Sequence, residues 1–309
     1  MTAPSGLERG FLFLLDKPPG MTSHDVVERV RRACHVPRVG HSGTLDPMAT
    51  GLLLLCAGPA ARLQSFFTRM DKSYEGFIRL GRATTTYDRD GETVGAESDT
   101  SGITADQVER AASSYRGDFL QSPPPYSAKK HGGRKFYEMA RKGESVPIVP
   151  KAVRVSELRL GPLESGRLAF SIRCSSGTYV RSIASELGEK LKCGAHLETL
   201  RRTSVGPFRV EDAVELARFE AMTPAERLSP PHAVPLSKVP FPFEQVHLAS
   251  LEAWKVRKGQ PIPARGVESK EGEWVTLLGP SDEMLALGQV TPIGSGPVSL
   301  IRPKVVLAN

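Results

Sequence analysis

The sequence predicts an α+β fold in two units, a body of strands and helices followed by a small β-barrel. Three observations predict it. Strand-like apolar or alternating runs are interspersed with capped amphipathic helices over the first two thirds of the chain. Between Ser229 and Phe243, Pro230, Pro231, Pro235, Pro240 and Pro242 read as a semi-rigid linker. The stretch that follows, Val246 to Asn309, is rich in glycine, proline and short β-type runs. At 309 residues, with 39% hydrophobic and 24% charged content, the chain is long enough to bury two cores.

The elements follow in order. Phe11 to Asp16 reads as a strand closed by the turn Lys17-Pro18-Pro19-Gly20. Thr22 and Asp25 have capping-box spacing and open a helix through about Cys34, with Val26, Val27, Val30 and Cys34 on its apolar face. The run Gly40 to Leu55 then changes character halfway. Its first half is small, polar and glycine-punctuated, which predicts an exposed, mobile loop. Its second half is apolar and too short for a membrane span, which predicts a buried strand. Asp46 lies at the junction, where a carboxylate is placed to act as nucleophile or base.

Tyr74 to Leu80 alternates like a strand, and Thr84 to Gly91 makes a polar turn. Its Asp88-x-Asp90-Gly91 lacks the remaining ligands of an EF-hand calcium loop. Thr104 to Tyr115 is a capped helix, and Leu120 to Pro125 a proline-rich stop. Val153–Leu160 and Arg167–Cys174 read as paired strands. A helix from Tyr179 to Lys192 follows, with Val180, Ile183, Ala184, Leu187 and Leu191 as its core stripe, Arg181 off that stripe and Gly194 at C′. His196 to Val205 returns as a strand carrying Leu200, Arg201 and Arg202. In the last unit Trp274–Leu278, Leu285–Val290 and Val298–Ile301 are the expected strands.

Charge points toward a polyanion. The net charge is +7, from 41 basic and 34 acidic residues, and the pI is about 9.3. Seven Lys/Arg balance seven Asp/Glu from Glu244 onward, so the excess lies before it. One cluster is Arg29, Arg31, Arg32 and Arg38. Another is the segment Pro124 to Ala152, where Lys129, Lys130, Arg134, Lys135, Arg141, Lys142 and Lys151 mix with Tyr126, Phe136 and Tyr137. Basic residues interleaved with aromatics suit a finger that grips single-stranded or looped RNA. Cys34, Cys56, Cys174 and Cys193 are dispersed without zinc spacing and read as core residues of a reducing compartment. With no apolar signal region at the N-terminus, the expectation is a cytoplasmic protein with no membrane association.

Six blocks together resemble the bacterial tRNA pseudouridine-55 synthase family. They are Leu14-Leu15-Asp16-Lys17-Pro18-x-Gly20-Met21-x-Ser23, Gly40-His41-x-Gly43-x-Leu45-Asp46-Pro47-x-Ala49-x-Gly51, Asp71-Lys72-x-Tyr74, Tyr126-Ser127-Ala128, Gly177-Thr178-Tyr179-x-Arg181 and Leu200-Arg201-Arg202. The resemblance implies a mixed, largely antiparallel sheet flanked by helices at 1–236, with the basic finger at about 124–152. It also implies a PUA-like RNA-binding barrel at 244–309, matched more weakly through Arg257-Lys258-Gly259. The implied reaction isomerises one T-loop uridine of tRNA to pseudouridine, with no cofactor or metal. The implied enzyme is a monomer without an obligate protein partner.

The resemblance also implies site roles. Asp46 is the catalytic acid, as nucleophile or as base at the sugar, and Arg181 is its partner. Tyr74 stacks on the target base and is the candidate for the C5 proton. Tyr179 and Leu200 wall the pocket, and His41 fills the stack that a flipped base vacates. Lys17 matches the family's pattern beside the substrate but reads as a buttress. Lys129, Lys130, Arg134 and Arg141 contact phosphates by residue type. Two other readings stay open: a pseudouridine synthase with another RNA target, and a tRNA-binding or tRNA-folding protein. An RNA methyltransferase is disfavoured because no G-x-G-x-x-G opens a helix.

Overall fold

Strands Phe11–Lys17 and Thr50–Ala57 form the centre of the body because both of their faces are apolar. In the computed structural model, which describes residues 10–124, 149–292 and 299–307 and the backbone of 130–131 and 134–135, they pair antiparallel from Phe11↔Ala57 to Lys17↔Gly51. Alternation splits each strand between two cores. Phe13, Leu15, Leu53 and Leu55 join one cluster, while Leu12, Leu14, Leu52 and Leu54 join another on the opposite face. Each such leucine removed from water contributes roughly 1.5–3 kcal/mol.

Eight strands run across the main sheet, in the order Val214–Glu215, Phe11–Lys17, Thr50–Ala57, Ala195–Val205, Lys72–Leu80, Arg167–Cys174, Lys151–Glu164 and Gly117–Gln121. Val39–His41, Phe208–Arg209 and Ala233–Pro235 attach to its flank. Among the described residues two of its strand pairings are parallel and the rest antiparallel, so the sheet is mixed and largely antiparallel as expected. Helix Ser23–Cys34 carries the predicted Thr22–Asp25 capping box and buries Val26, Val27, Val30 and Cys34. Helix Ala105–Ala112 is likewise capped by Thr104 and Gln107.

Several expectations need correction. Strand Gly117–Gln121 runs into what reads as a proline-rich stop, because Gln121 is still paired with Lys151. Helix Val180–Lys190 is buried nearly all round its first two turns, Arg181 included, so its periodicity understates its burial. Lys192, not Gly194, takes the left-handed conformation just past its end, although Gly194 also has positive φ. The proline-rich segment is no free linker. Ala233–Pro235 pairs with Phe11–Phe13, and Leu236 and Val239 are buried.

The C-terminal unit is a five-stranded sheet, in the order Glu244–His247, Trp274–Leu278, Met284–Pro292, Ser299–Val306 and Ile262–Pro263. Its end strands do not pair, which makes it a half-barrel of PUA-like form. It includes a helix, Ser250–Arg257, that the β-type pattern had not announced. Leu278, Met284, Leu287 and Leu307 complete the second core of the body, and Phe66, Phe241, Phe243 and Trp274 form an aromatic cluster across the junction. No helix among the described residues is long and apolar enough to cross a membrane.

Candidate active site

The loop carrying Asp46 is pinned, not mobile. Ser42, Leu45, Met48 and Ala49 are buried, leaving mainly Thr44 and Pro47 exposed. Ser23 Oγ, itself buried, donates to the Leu45 carbonyl at 3.1 Å and accepts from the Leu45 N–H at 2.8 Å. Lys17 Nζ (3.2 Å) and the Gly20 N–H (2.9 Å) both donate to the Pro47 carbonyl. Arg202 Nε donates to Leu52 O at 2.7 Å, and its Nη2 donates to Gly43 O at 3.1 Å. The Ala49 N–H closes the turn onto the Asp46 carbonyl at 3.0 Å. Gly51, at φ +99°, lets the next strand cross Arg202; a Cβ there would lie 2.3 Å from the Arg202 carbonyl oxygen.

This frame presents Asp46 to Arg181. Arg181 Nε lies 2.9 Å from Asp46 Oδ2, and Nη2 donates to Oδ1 at 3.2 Å. The same guanidinium lies 3.2 Å from Asp88 Oδ2 and donates to the Thr86 carbonyl at 2.8 Å. Asp88 is the residue that sequence reasoning missed. Its turn lacks the remaining ligands of a calcium loop, yet its carboxylate is buried against Arg181. Burial raises the pKa of Asp46 above the usual carboxylate range, against the pull of Arg181, and the nearby Asp88 charge raises it further. The Asp46 side chain keeps 31% of its surface, so it remains reachable from the site mouth.

Tyr74 is buried on the strand Lys72–Leu80, opposite Arg202 in register. Burial raises its phenol pKa further, so the ring is neutral near pH 7. Leu200 is buried opposite Gly76. Tyr179 caps the Arg181 helix, half-buried, and gives both of its backbone groups to the Gln121 side chain. His41 is half-buried on the strand leading into the loop, and burial lowers its pKa, leaving a neutral imidazole.

Lys17 is fully buried and spends its ammonium on the carbonyls of Pro18, Met21 and Pro47. Desolvation lowers its pKa to about 8, with Asp46 opposing. That makes Lys17 a buttress of the loop, not a surface for substrate. Lys72, with a pKa lowered to about 8 by burial, and Arg202 complete a buried cationic shell that sequence reasoning left without a role. A cleft of about 510 Å³ adjoins the loop through Met48 and Thr50, and is lined further by Phe77, Leu200, Arg89 and Arg201.

Of the basic clusters, Arg29 pairs with Glu220 and Arg31 with Glu28, which leaves Arg32 and Arg38 exposed. Lys129 and Arg141 lie outside the described residues. Lys130 and Arg134 fall on a short hairpin, Lys130–His131 with Arg134–Lys135. The four cysteines are free and buried, as expected. Among the described residues no group of three or more His, Cys, Asp or Glu could hold a metal ion.

The site is thus an aspartate bound by a buried arginine on a pinned loop of a mixed sheet, and comparison with known proteins gives the family of the chain. Residues 31–180 match the N-terminal domain of the TruB family of pseudouridylate synthases, and residues 181–246 match the tRNA pseudouridylate synthase B C-terminal domain. The chain belongs to the TruB family. It is 42% identical over 280 residues to the tRNA pseudouridine synthase B of Solibacter usitatus, covering 90% of this chain and 95% of that protein. It is 36% identical over 291 residues to that of Salmonella typhi, covering 92% of each. A chain in the crystal structure of a Cbf5-Nop10-Gar1 complex superposes with a TM-score of 0.73 at 22% identity, covering 97% of this chain and 85% of that one, a likeness of fold.

Proposed function

We propose that this chain isomerises a uridine in the T-loop of tRNA, at position 55, to pseudouridine. The observation that carries the reading is Asp46, held by Arg181 on a loop that the side chains of Lys17, Ser23 and Arg202 tie down. Membership of the TruB family and relatives named tRNA pseudouridine synthase B support the reaction and the substrate. In the reaction the N1–C1′ bond breaks, the uracil turns, C5 bonds to C1′, the C5 proton leaves to solvent, and N1 takes up a proton in its place. Asp46 serves in its ionised form, as nucleophile at C1′ or as base at the sugar.

Arg181 orients that carboxylate and offsets part of its desolvation. Tyr74, neutral near pH 7, stacks on the base and is the candidate to relay the C5 proton; its raised pKa makes it no standing base. Tyr179 and Leu200 wall the pocket, and His41, neutral near pH 7, suits the stack left by the flipped uridine. Lys129, Lys130, Arg134 and Arg141, within the basic segment at about 124–152, supply phosphate contacts. Residues 1–236 are the catalytic unit, and 244–309 a PUA-like RNA-binding unit. The enzyme works in the cytoplasm as a monomer, without a cofactor.

The test is tritium release from a tRNA transcript labelled at uridine C5, followed by mapping of the modified position. Release with pseudouridine at position 55 is expected. Pseudouridine at another position would replace the T-loop assignment, and binding of tRNA without release would favour a tRNA-folding role.

A further inference from the structure

We propose that Gln121 is a positioning residue for this reaction: its side-chain amide sets the first turn of the Val180–Lys190 helix so that Arg181 meets Asp46. The inference rests on the proposed isomerisation for the rate it governs, and on geometry alone for the contact it maintains. Gln121 ends the strand Gly117–Gln121 and is 3% exposed. Its Oε1 accepts from the Tyr179 N–H at 2.8 Å, while its Nε2 donates to the Tyr179 carbonyl at 3.0 Å. One amide thus takes both backbone groups of one residue, as a neighbouring strand would.

Tyr179 depends on that partner. It is the N-cap of the helix, in an extended conformation and with no side-chain cap, and the bond from the Ile183 N–H to its carbonyl is long at 3.4 Å. A second tie lies one residue past Arg181, where Ser182 Oγ donates to the Ser122 carbonyl at 3.2 Å. The two ties bracket the arginine. They matter because the first turn of a helix disfavours a cation, and this turn has no acidic residue of its own. Arg181 is held there by Asp46, Asp88 and the Thr86 carbonyl, all from other segments. A small rotation of the helix start would weaken all three contacts together. Backbone pairing of Gln121 with Lys151 fixes the strand from which the amide reaches.

Gln121→Met keeps the side-chain length and removes both bonds. Single-turnover pseudouridine formation is expected to fall about ten- to a hundredfold, the scale of a misplaced catalytic contact. The Kd for tRNA should stay within about twofold, because Gln121 is buried away from solvent. The Asp46 carboxyl, followed by its carbon-13 shift, should titrate at higher pH as the influence of Arg181 weakens. Ser182→Ala should show a smaller change in the same direction, and it decides the matter if Gln121→Met unfolds. An unchanged rate and an unchanged Asp46 titration in a folded variant would overturn the proposal, as would a loss confined to Kd. If the wild-type protein forms no pseudouridine, the proposed function fails, whereas the Asp46 titration still judges Gln121.

Discussion

At the Asp46 loop one guanidinium serves two carboxylates, whereas farther along the same sheet one carboxylate serves two guanidiniums. Glu198 on the strand Ala195–Val205 accepts from Arg79 at 2.7 Å and from Arg167 at 2.5 Å, and Arg167 also lies over the Phe77 ring. Burial opposes ionisation of Glu198, but the hydrogen bonds from Arg79 and Arg167 overcome it and lower its pKa. At Asp46 the balance runs the other way, since burial and Asp88 outweigh Arg181. The residue chemistry is the same, and stoichiometry with burial sets opposite signs. The outer cluster stabilises its charge; the inner one keeps a reactive charge at a cost to the fold.

That contrast can be broken most severely at Asp46. Asp46→Asn should lower pseudouridine formation by about a thousandfold or more, measured by tritium release, with tRNA binding largely retained. The same variant should not lose thermal stability at pH 7 to 8, and should gain some. A carboxyl with a raised folded pKa stabilises the fold while protonated and loses that contribution as pH rises through the raised pKa, and Asn mimics the protonated form. A clear drop in Tm would contradict the assigned sign.

Arg181→Lys should lower the rate about a hundredfold, because a point charge cannot address both carboxylates and the Thr86 carbonyl from one plane. Asp88→Asn should cost about tenfold or less, since Arg181 keeps its contacts to Asp46 and to the Thr86 carbonyl. It should also move the acid limb of the pH–rate profile to lower pH, since one cause of the raised Asp46 pKa is gone; a shift to higher pH would reverse the assignment. The smallest effect belongs to the outer cluster. Glu198→Gln should cost about 1 kcal/mol in urea unfolding at neutral pH, given the partial exposure of its partners, with activity unchanged. Glu198 supplies that stability above its ordinary carboxylate pKa of 4.5, and it is lost as pH falls through the depressed value, so the variant should converge on wild type in acid.

Much of this was readable in the chain. Phe11 to Asp16 announced a strand and Leu52 to Leu55 a buried one, because a strand covered on both faces admits no polar position; that both are central was not legible. Thr22 and Asp25 announced a helix start because a capping box is a local contact. Asp46 was legible from its place at a change of character within one run. Asp88 was not, because its partner Arg181 lies 93 positions away and its own turn resembles any polar loop. The proline-rich segment misled for a similar reason: proline limits backbone freedom but does not say whether Leu236 and Val239 find a core.

The sequence by itself determined what depends on neighbours within a few residues: strand and helix periodicity, caps, the acid at the loop's end, and the basic excess ahead of Glu244. Tertiary structure alone decided which long-range charges share a dielectric. It brought Lys17, Lys72 and Arg202 beneath one loop, set two carboxylates against Arg181, and linked Gln121 to Tyr179. The physical reason is that local propensity fixes backbone dihedrals within a few residues, whereas the strength and sign of a buried charge depend on whatever the fold places within a few ångströms of it.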